Sequence, residues 1–216
     1  MEFQLSSDTG GEQRVRQLGL EPFHYLLFAG RLVPEKRIGD IIRAVCRGTN
    51  PYCLAIAGEG AQDHLKLLKM NVAGDRRIRF LGHHDPRTIR SLMRYSLGFI
   101  SASELEGFSM ALLECVAEAA PAIVSDIAPH RELFGSYPAY DMFSPRGDID
   151  ALAARINSLA NAPNTFRERA LRIRTSIARQ FPVQRMIDQT ESVLNSAALR
   201  FSMRPRTANG LPRQLS

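Results

Sequence analysis

The chain has 216 residues, is 44% hydrophobic and 23% charged, and carries 28 Lys+Arg against 22 Asp+Glu for a formal net charge of +6. That length holds one ordinary domain with a full core, the hydrophobic fraction excludes wholesale disorder, and no apolar run approaches the roughly 18 residues of a membrane span. The charge is uneven: residues 167–216 hold ten Arg and three acids, so the body is near neutral, which disfavours a nucleic-acid binder.

Residues 1–22 are polar and Gly-containing, with weak periodicity except around Val15 to Leu20, and read as a linker leading into a short helix. They contain no apolar signal core, so secretion is not expected. From residue 25 a regular alternation begins. Short apolar runs stand at 25–29, 53–57, 78–81, 97–101 and 122–124, bounded by Gly, Ser or Pro. Such runs suit strands buried on both faces. Between them lie helix-period segments carried by Ile38, Ile41, Ile42 and Val45; Leu65, Leu68 and Val72; Ile89, Leu92 and Met93; Leu112, Leu113 and Val116. The pattern predicts an α/β fold, a Rossmann-like doubly wound parallel sheet with helices on both faces.

The last third predicts a helical C-terminal segment. Apolar stripes run through Ile149, Leu152, Ala153, Ile156 and Leu159; through Phe166, Ala170, Ile173 and Ile177; and through Val183, Met186, Ile187, Val193, Leu194 and Ala197. Pro163 and Pro182 separate them. The end of the chain lacks periodicity and is expected to be disordered. Cys46, Cys53 and Cys115 show no C-x-x-C spacing and read as buried thiols of a cytoplasmic protein.

In an open parallel sheet, ligands bind beyond the carboxyl ends of the strands. The residues there are Gly30, Arg31 and Lys36; Gly58, Glu59 and Gly60; Gly82, His83 and His84; Ser103 through Ser109; and Ser125 with Asp126. Cations, glycine turns and carboxylates on one edge suit a phosphate-bearing, hydroxyl-rich ligand. Singly, each is ambiguous. Gly58 and Gly60 read first as a strand-to-helix turn needing positive φ, because Asp63 stands where a dinucleotide fingerprint needs a small residue. Arg31 and Lys36 alone could be a solvated loop. His83 and His84 have no acidic or Cys partner at ligand spacing, so no metal is expected.

The stretch from Ser103 to Glu114 is more specific. Gly107 breaks the chain, Ser109 is placed to cap a helix from Met110 to about Ala119, and the amides of Met110, Ala111 and Leu112 would offer an anion site. Glu106 and Glu114 are expected to accept sugar hydroxyls while Arg31, Lys36 and the helix start take phosphates. A hydrolase-type pair is the other use of two such carboxylates, but Glu114 inside a helix is badly placed to attack.

These residues, in this order, resemble the donor-binding, carboxyl-terminal domain of the retaining GT-B glycosyltransferases of group 1. The resemblance covers residues 23–197 and rests on Gly30-Arg-Leu-Val-Pro-Glu-Lys36, Ile56-Ala-Gly-Glu-Gly60, Ile78-Arg-Phe-Leu-Gly82, the E-x7-E element from Glu106 to Glu114, Pro121-Ala-Ile-Val-Ser-Asp126 and Glu132. It implies a nucleotide-diphosphate sugar as donor and a metal-free, cofactor-free transfer that retains anomeric configuration. It further implies that Arg31 and Lys36 hold the diphosphate, that Glu106 and the amides of Gly107, Phe108 and Ser109 position the sugar, and that Glu114 holds the ribose. Leu81, Gly82, His83 and the Gly58–Gly60 turn would border the base. Ser109 and Ala119 stand where the family often has glycine; both are small, so the site is expected to survive.

The resemblance also implies domain limits: a linker at 1–22, the nucleotide-sugar domain at 23–200, a tail at 201–216, and an acceptor-binding domain or subunit outside this chain. An alternative is a non-catalytic nucleotide-sugar-binding module. The Arg-rich tail reads first as a solvated helix face with a frayed end, and contact with an acidic or inner-membrane surface is its alternative.

Overall fold

Each of the five apolar runs is a strand in the computed structural model, which describes residues 10–48, 51–70, 72, 74–134, 137, 142–180, 188 and 191–194. The strands are β1 (Tyr25–Ala29), β2 (Cys53–Ala57), β3 (Ile78–Gly82), β4 (Gly98–Ser101) and β5 (Ala122–Ser125), joined by a short β6 (Phe143–Ser144) absent from the sequence reading. All pair in parallel in the order β3-β2-β1-β4-β5-β6. The chain therefore runs outward from β1 in one direction and then, from β4, in the other. The crevice between β1 and β4 is the topological switch point.

The helices are α1 (Gly11–Gln17), α2 (Ile38–Arg47), α3 (Gln62–Met70), α4 (Pro86–Arg94), α5 (Met110–Ala117), α6 (Ala128–Phe134), α7 (Ile149–Asn161) and α8 (Pro163–Gln180). On one face of the sheet, Leu26, Phe28, Leu54, Ile56 and Ile100 pack against Ile38, Ile41, Ile42 and Val45 of α2 and Leu152, Ile156 and Leu159 of α7. Each such side chain, fully buried, contributes about 1.5–3 kcal/mol. Elsewhere Tyr25 donates its hydroxyl to Leu92 O of α4 at 2.6 Å, which satisfies a buried polar tip. Asp85 starts α4 by accepting from the amides of Arg87 and Thr88, and Asp148 starts α7 through Ala151 N.

Two sequence expectations change. The segment expected as a linker belongs to the body from α1 onward: Val15 and Leu20 are buried, and Arg14 donates to Ser91 Oγ of α4. The thiols are not uniformly buried: Cys46 is exposed on the outer side of α2, Cys53 is intermediate and only Cys115 is buried. The chain divides into a compact unit Phe3–Arg179 and a second of Met1–Glu2 with Gln180–Ser216. In the second, residues 188 and 191–194 are helical. Most of the helix expected around 183–199, and the tail at 201–216, lie outside the described residues.

The end of α5 shows the cost of a missing glycine. Ala119 has φ 52, and the amides of Ala119 and Ala120 turn back to Val116 O and Cys115 O. This is a left-handed helix terminus, a conformation that Cβ disfavours. Ala119→Gly is expected to stabilise the fold by about 0.5–1 kcal/mol, read as a melting temperature raised by roughly 1–4 °C. An unchanged or lower melting temperature would show that Ala119 carries no strain.

Candidate functional site

The loops at the carboxyl end of the sheet continue its ladder past the strands. Gly30 N donates to Ala57 O, Leu32 N to Glu59 O at 2.7 Å, and Gly58 N to Gly82 O at 2.7 Å. This zipper leaves no room for side chains at positions 58 and 60 of the middle loop. A Cβ on Gly58 would lie 1.8 Å from Gly30 O, and one on Gly60 would lie 2.0 Å from Leu32 O. Gly58 also has φ 141. The glycines are thus required by the backbone of two loops touching, whatever the ligand.

Across the switch point the loops after β1 and β4 meet. Glu104 N donates to Glu35 O at 2.8 Å, and Lys36 Nζ donates to Glu106 Oε1 at 2.5 Å. The Lys36 and Glu106 side chains are only 18% and 10% exposed. Two residues seventy positions apart are joined because β1 and β4 are sheet neighbours. The sequence reading gave Lys36 a phosphate and Glu106 a hydroxyl; in the free chain they hold one another. Arg31, by contrast, is exposed and has no ion pair among the described residues.

Two clefts open here. The first, about 380 Å³, is lined by six of the expected residues: Gly30, Arg31, Gly58, His83, Ala111 and Glu114. Its wall also contains Glu59, His84, Ile89 and Met93. Ile89 and Met93 read in sequence as core of α4, since a residue four positions on shares the face; only the topology shows that face reaching the cleft. The second cleft, about 360 Å³, is lined by Glu104, Leu105, Glu106, Asp126 and Arg146 among others. Lys36, Gly60, Leu81, Gly82, Gly107, Phe108, Ser109 and Met110 line neither.

The start of α5 differs from expectation in two details. Ser109 occupies the cap position, but its hydroxyl makes no capping bond. The amide of Met110 is taken by Phe108 O at 3.0 Å, so it is not free for an anion in this state. The reason is local: the chain bends at Gly107 and Phe108 before helical geometry begins. Phe108 and Met110 are about half exposed.

Glu114 faces the first cleft from one turn into α5. Burial pushes its carboxyl above the ordinary value, Arg90 opposes the shift and Glu118 adds to it. His130, which the sequence reading passed over, is fully buried. Its Nδ1 donates to Ser125 O at 2.8 Å while Nε2 has no hydrogen-bond partner. Burial lowers its pKa, which favours the neutral ring, and the charges of Glu106 and Lys36 act on it in opposite senses. Among the described residues no group of three or more His, Cys, Asp or Glu side chains is placed to hold a metal ion. No helix there is long and apolar enough to cross a membrane.

The family described as glycosyl transferases group 1 matches residues 12–175. Glycogen synthase of Mycobacterium tuberculosis (strain CDC 1551 / Oshkosh) is 31% identical over 178 residues, covering 80% of this chain and 42% of that protein. The crystal structure of Anabaena Alr3699/HepE in complex with UDP and glucose superposes with a TM-score of 0.79 at 20% identity, covering 88% of this chain and 53% of that one. Sucrose-phosphate synthase from Thermosynechococcus elongatus gives 0.75 at 20% identity, covering 87% and 49%. At that identity the two structures speak to the fold. The chain spans less than half the length of the curated relative it matches.

Proposed function

The chain belongs to the group 1 glycosyl transferases, and from that membership we propose that it is the donor-binding half of a retaining glycosyltransferase that uses a nucleotide-diphosphate sugar. The observation that carries this reading is the meeting of Lys36 and Glu106 across the switch point, beside the cleft that holds Arg31 and Glu114. A cation already fixed at that place can exchange a carboxylate for a phosphate without reorganising its backbone. The base would lie along Gly58, His83 and the apolar wall of Ile89 and Met93, with the ribose hydroxyls on Glu114. Arg31 and Lys36 would take the diphosphate. Glu106, freed of Lys36, would accept hydroxyls of the sugar.

Transfer breaks the bond between the anomeric carbon and the diphosphate, and negative charge gathers on the departing phosphate. Fixed cations stabilise that charge more than they stabilise the intact donor, which is what lowers a barrier. The acceptor hydroxyl would come from a site supplied by a second domain or subunit. Because the Anabaena structure holds UDP and glucose, uridine diphosphate sugars are the first donors to test. Calorimetric titration should show binding of at least one among uridine, guanosine and adenosine diphosphate sugars. Binding of none would remove the donor reading, and binding without turnover beside an acceptor half would leave a binding module.

Glu114 gives the site a pH signature. Ribose hydroxyls donate to the ionised carboxylate, so the donor binds that form, and in the free chain its pKa is raised above 4.5. Donor affinity is therefore expected to fall as pH drops through that raised value, and Glu114→Gln to flatten the fall while costing about tenfold in affinity at neutral pH. The same acid-side slope in Glu114→Gln would assign it to another group. The stability effect has the opposite sense. A raised folded pKa favours folding at low pH, a contribution lost as pH rises through it.

A further inference from the structure

The short 3-10 turn Pro34–Lys36 that presents Lys36 is followed by Arg37 with φ 52 and ψ 38, a left-handed conformation that suits glycine and not a residue with Cβ. Something must hold it. Arg37 N donates to Pro34 O at 3.0 Å and Asp40 N to Arg37 O at 2.9 Å. The Arg37 Nε donates to Asp40 Oδ2 at 2.9 Å, and Arg43 binds the other oxygen of the same carboxylate. The Asp40 side chain is only 5% exposed. It also borders a small cavity with Ala102, Ser125, Ser144 and Asp148, and so faces the carboxyl end of the sheet across it. Directly after, Ile38, Ile41 and Ile42 are fully buried and fix α2. The left-handed residue is thus clamped on both sides, with Lys36 one position before it.

We propose that Asp40 is a positioning residue for the donor site: by holding Arg37 left-handed it fixes the turn that aims Lys36 across the switch point. Asp40 touches no ligand in this account and acts through Arg37. The inference rests on the reading that Lys36 takes a phosphate. The competing role is plain support of α2 by an acid in its first turn, which would need no particular backbone at position 37.

The discriminating pair is Arg37→Ala against Arg37→Gly, titrated with uridine diphosphate. Both lose the bond to Asp40, but only glycine adopts the left-handed conformation unaided. Arg37→Ala is expected to weaken binding about five- to tenfold, the population factor of an unheld left-handed residue, while Arg37→Gly binds like the wild type. Asp40→Asn should weaken binding in the same way, and Arg37→Gly added to it should restore affinity. Should Asp40→Asn fail to fold, the Arg37 pair decides alone. Amide exchange at Arg37 and Asp40 provides a second reading, faster in Arg37→Ala and unchanged in Arg37→Gly. Equal behaviour of alanine and glycine in both measurements would overturn the proposal. If the wild type binds no nucleotide, the proposed function falls while amide exchange still judges the clamp.

Discussion

Lys36→Ala is expected to weaken binding of a nucleotide-diphosphate sugar by about 100-fold, the scale of one charge-assisted hydrogen bond in a partly enclosed site. Arg31→Ala should lose somewhat less, because Arg31 is exposed and screened. The Lys36–Glu106 pair at 2.5 Å adds a sharper consequence. On the proposed reading, an incoming phosphate competes with Glu106 for one ammonium group. Removing the carboxylate's charge in Glu106→Gln should therefore tighten binding of free uridine diphosphate severalfold. The same change should weaken the sugar nucleotide, which loses an acceptor for its hydroxyls. Calorimetry with both ligands on the wild type and the two variants measures this. Equal movement of both ligands in Glu106→Gln would mean that Glu106 does not touch the sugar, and no tightening of uridine diphosphate would mean that it does not compete for Lys36.

The second large effect is structural. Gly58→Ala would force a Cβ into Gly30 O at 1.8 Å, on a residue with φ 141. Neither partner can give way, since both are backbone bonded into the loop zipper. A loss of about 3 kcal/mol or more is expected, seen as a melting temperature lowered by roughly 6–12 °C. Gly107→Ala is the contrast: nothing lies within 4 Å of its Cβ position. It should melt with the wild type, within about 0.5 kcal/mol. If Gly58→Ala also melted like the wild type, the loops would have to separate easily, and the floor of the cleft would not be rigid.

The sheet was readable from sequence because strands buried on both faces leave continuous apolar runs, as at Leu26 to Ala29 and Leu54 to Ala57. β6 escaped because two paired residues, Phe143 and Ser144, leave no run to see. α6 escaped because seven residues with Pro129 inside present little periodicity. For the site, Arg31, Lys36, Glu106 and Glu114 could be named from their places after strands. Their place on one edge could be read too, but the pairing of Lys36 with Glu106 could not, since the strand order that sets β1 beside β4 is a tertiary fact. The glycines were ambiguous for a physical reason: a positive φ and a close backbone approach look the same in one letter. At Gly58 both apply, and at Gly60 the approach to Leu32 O alone suffices.

We propose that the cleft beside the switch point takes the donor. The most direct measurement is an amide-resolved magnetic-resonance titration of the whole chain with uridine diphosphate glucose. Shifts are expected at Gly30, Arg31, Lys36, Gly58 and the Gly107 to Ala111 stretch, and they should vanish in Lys36→Ala. Saturable shifts confined to the second cleft, at Asp126, Ile127, Ala128 and Arg146, would contradict the account.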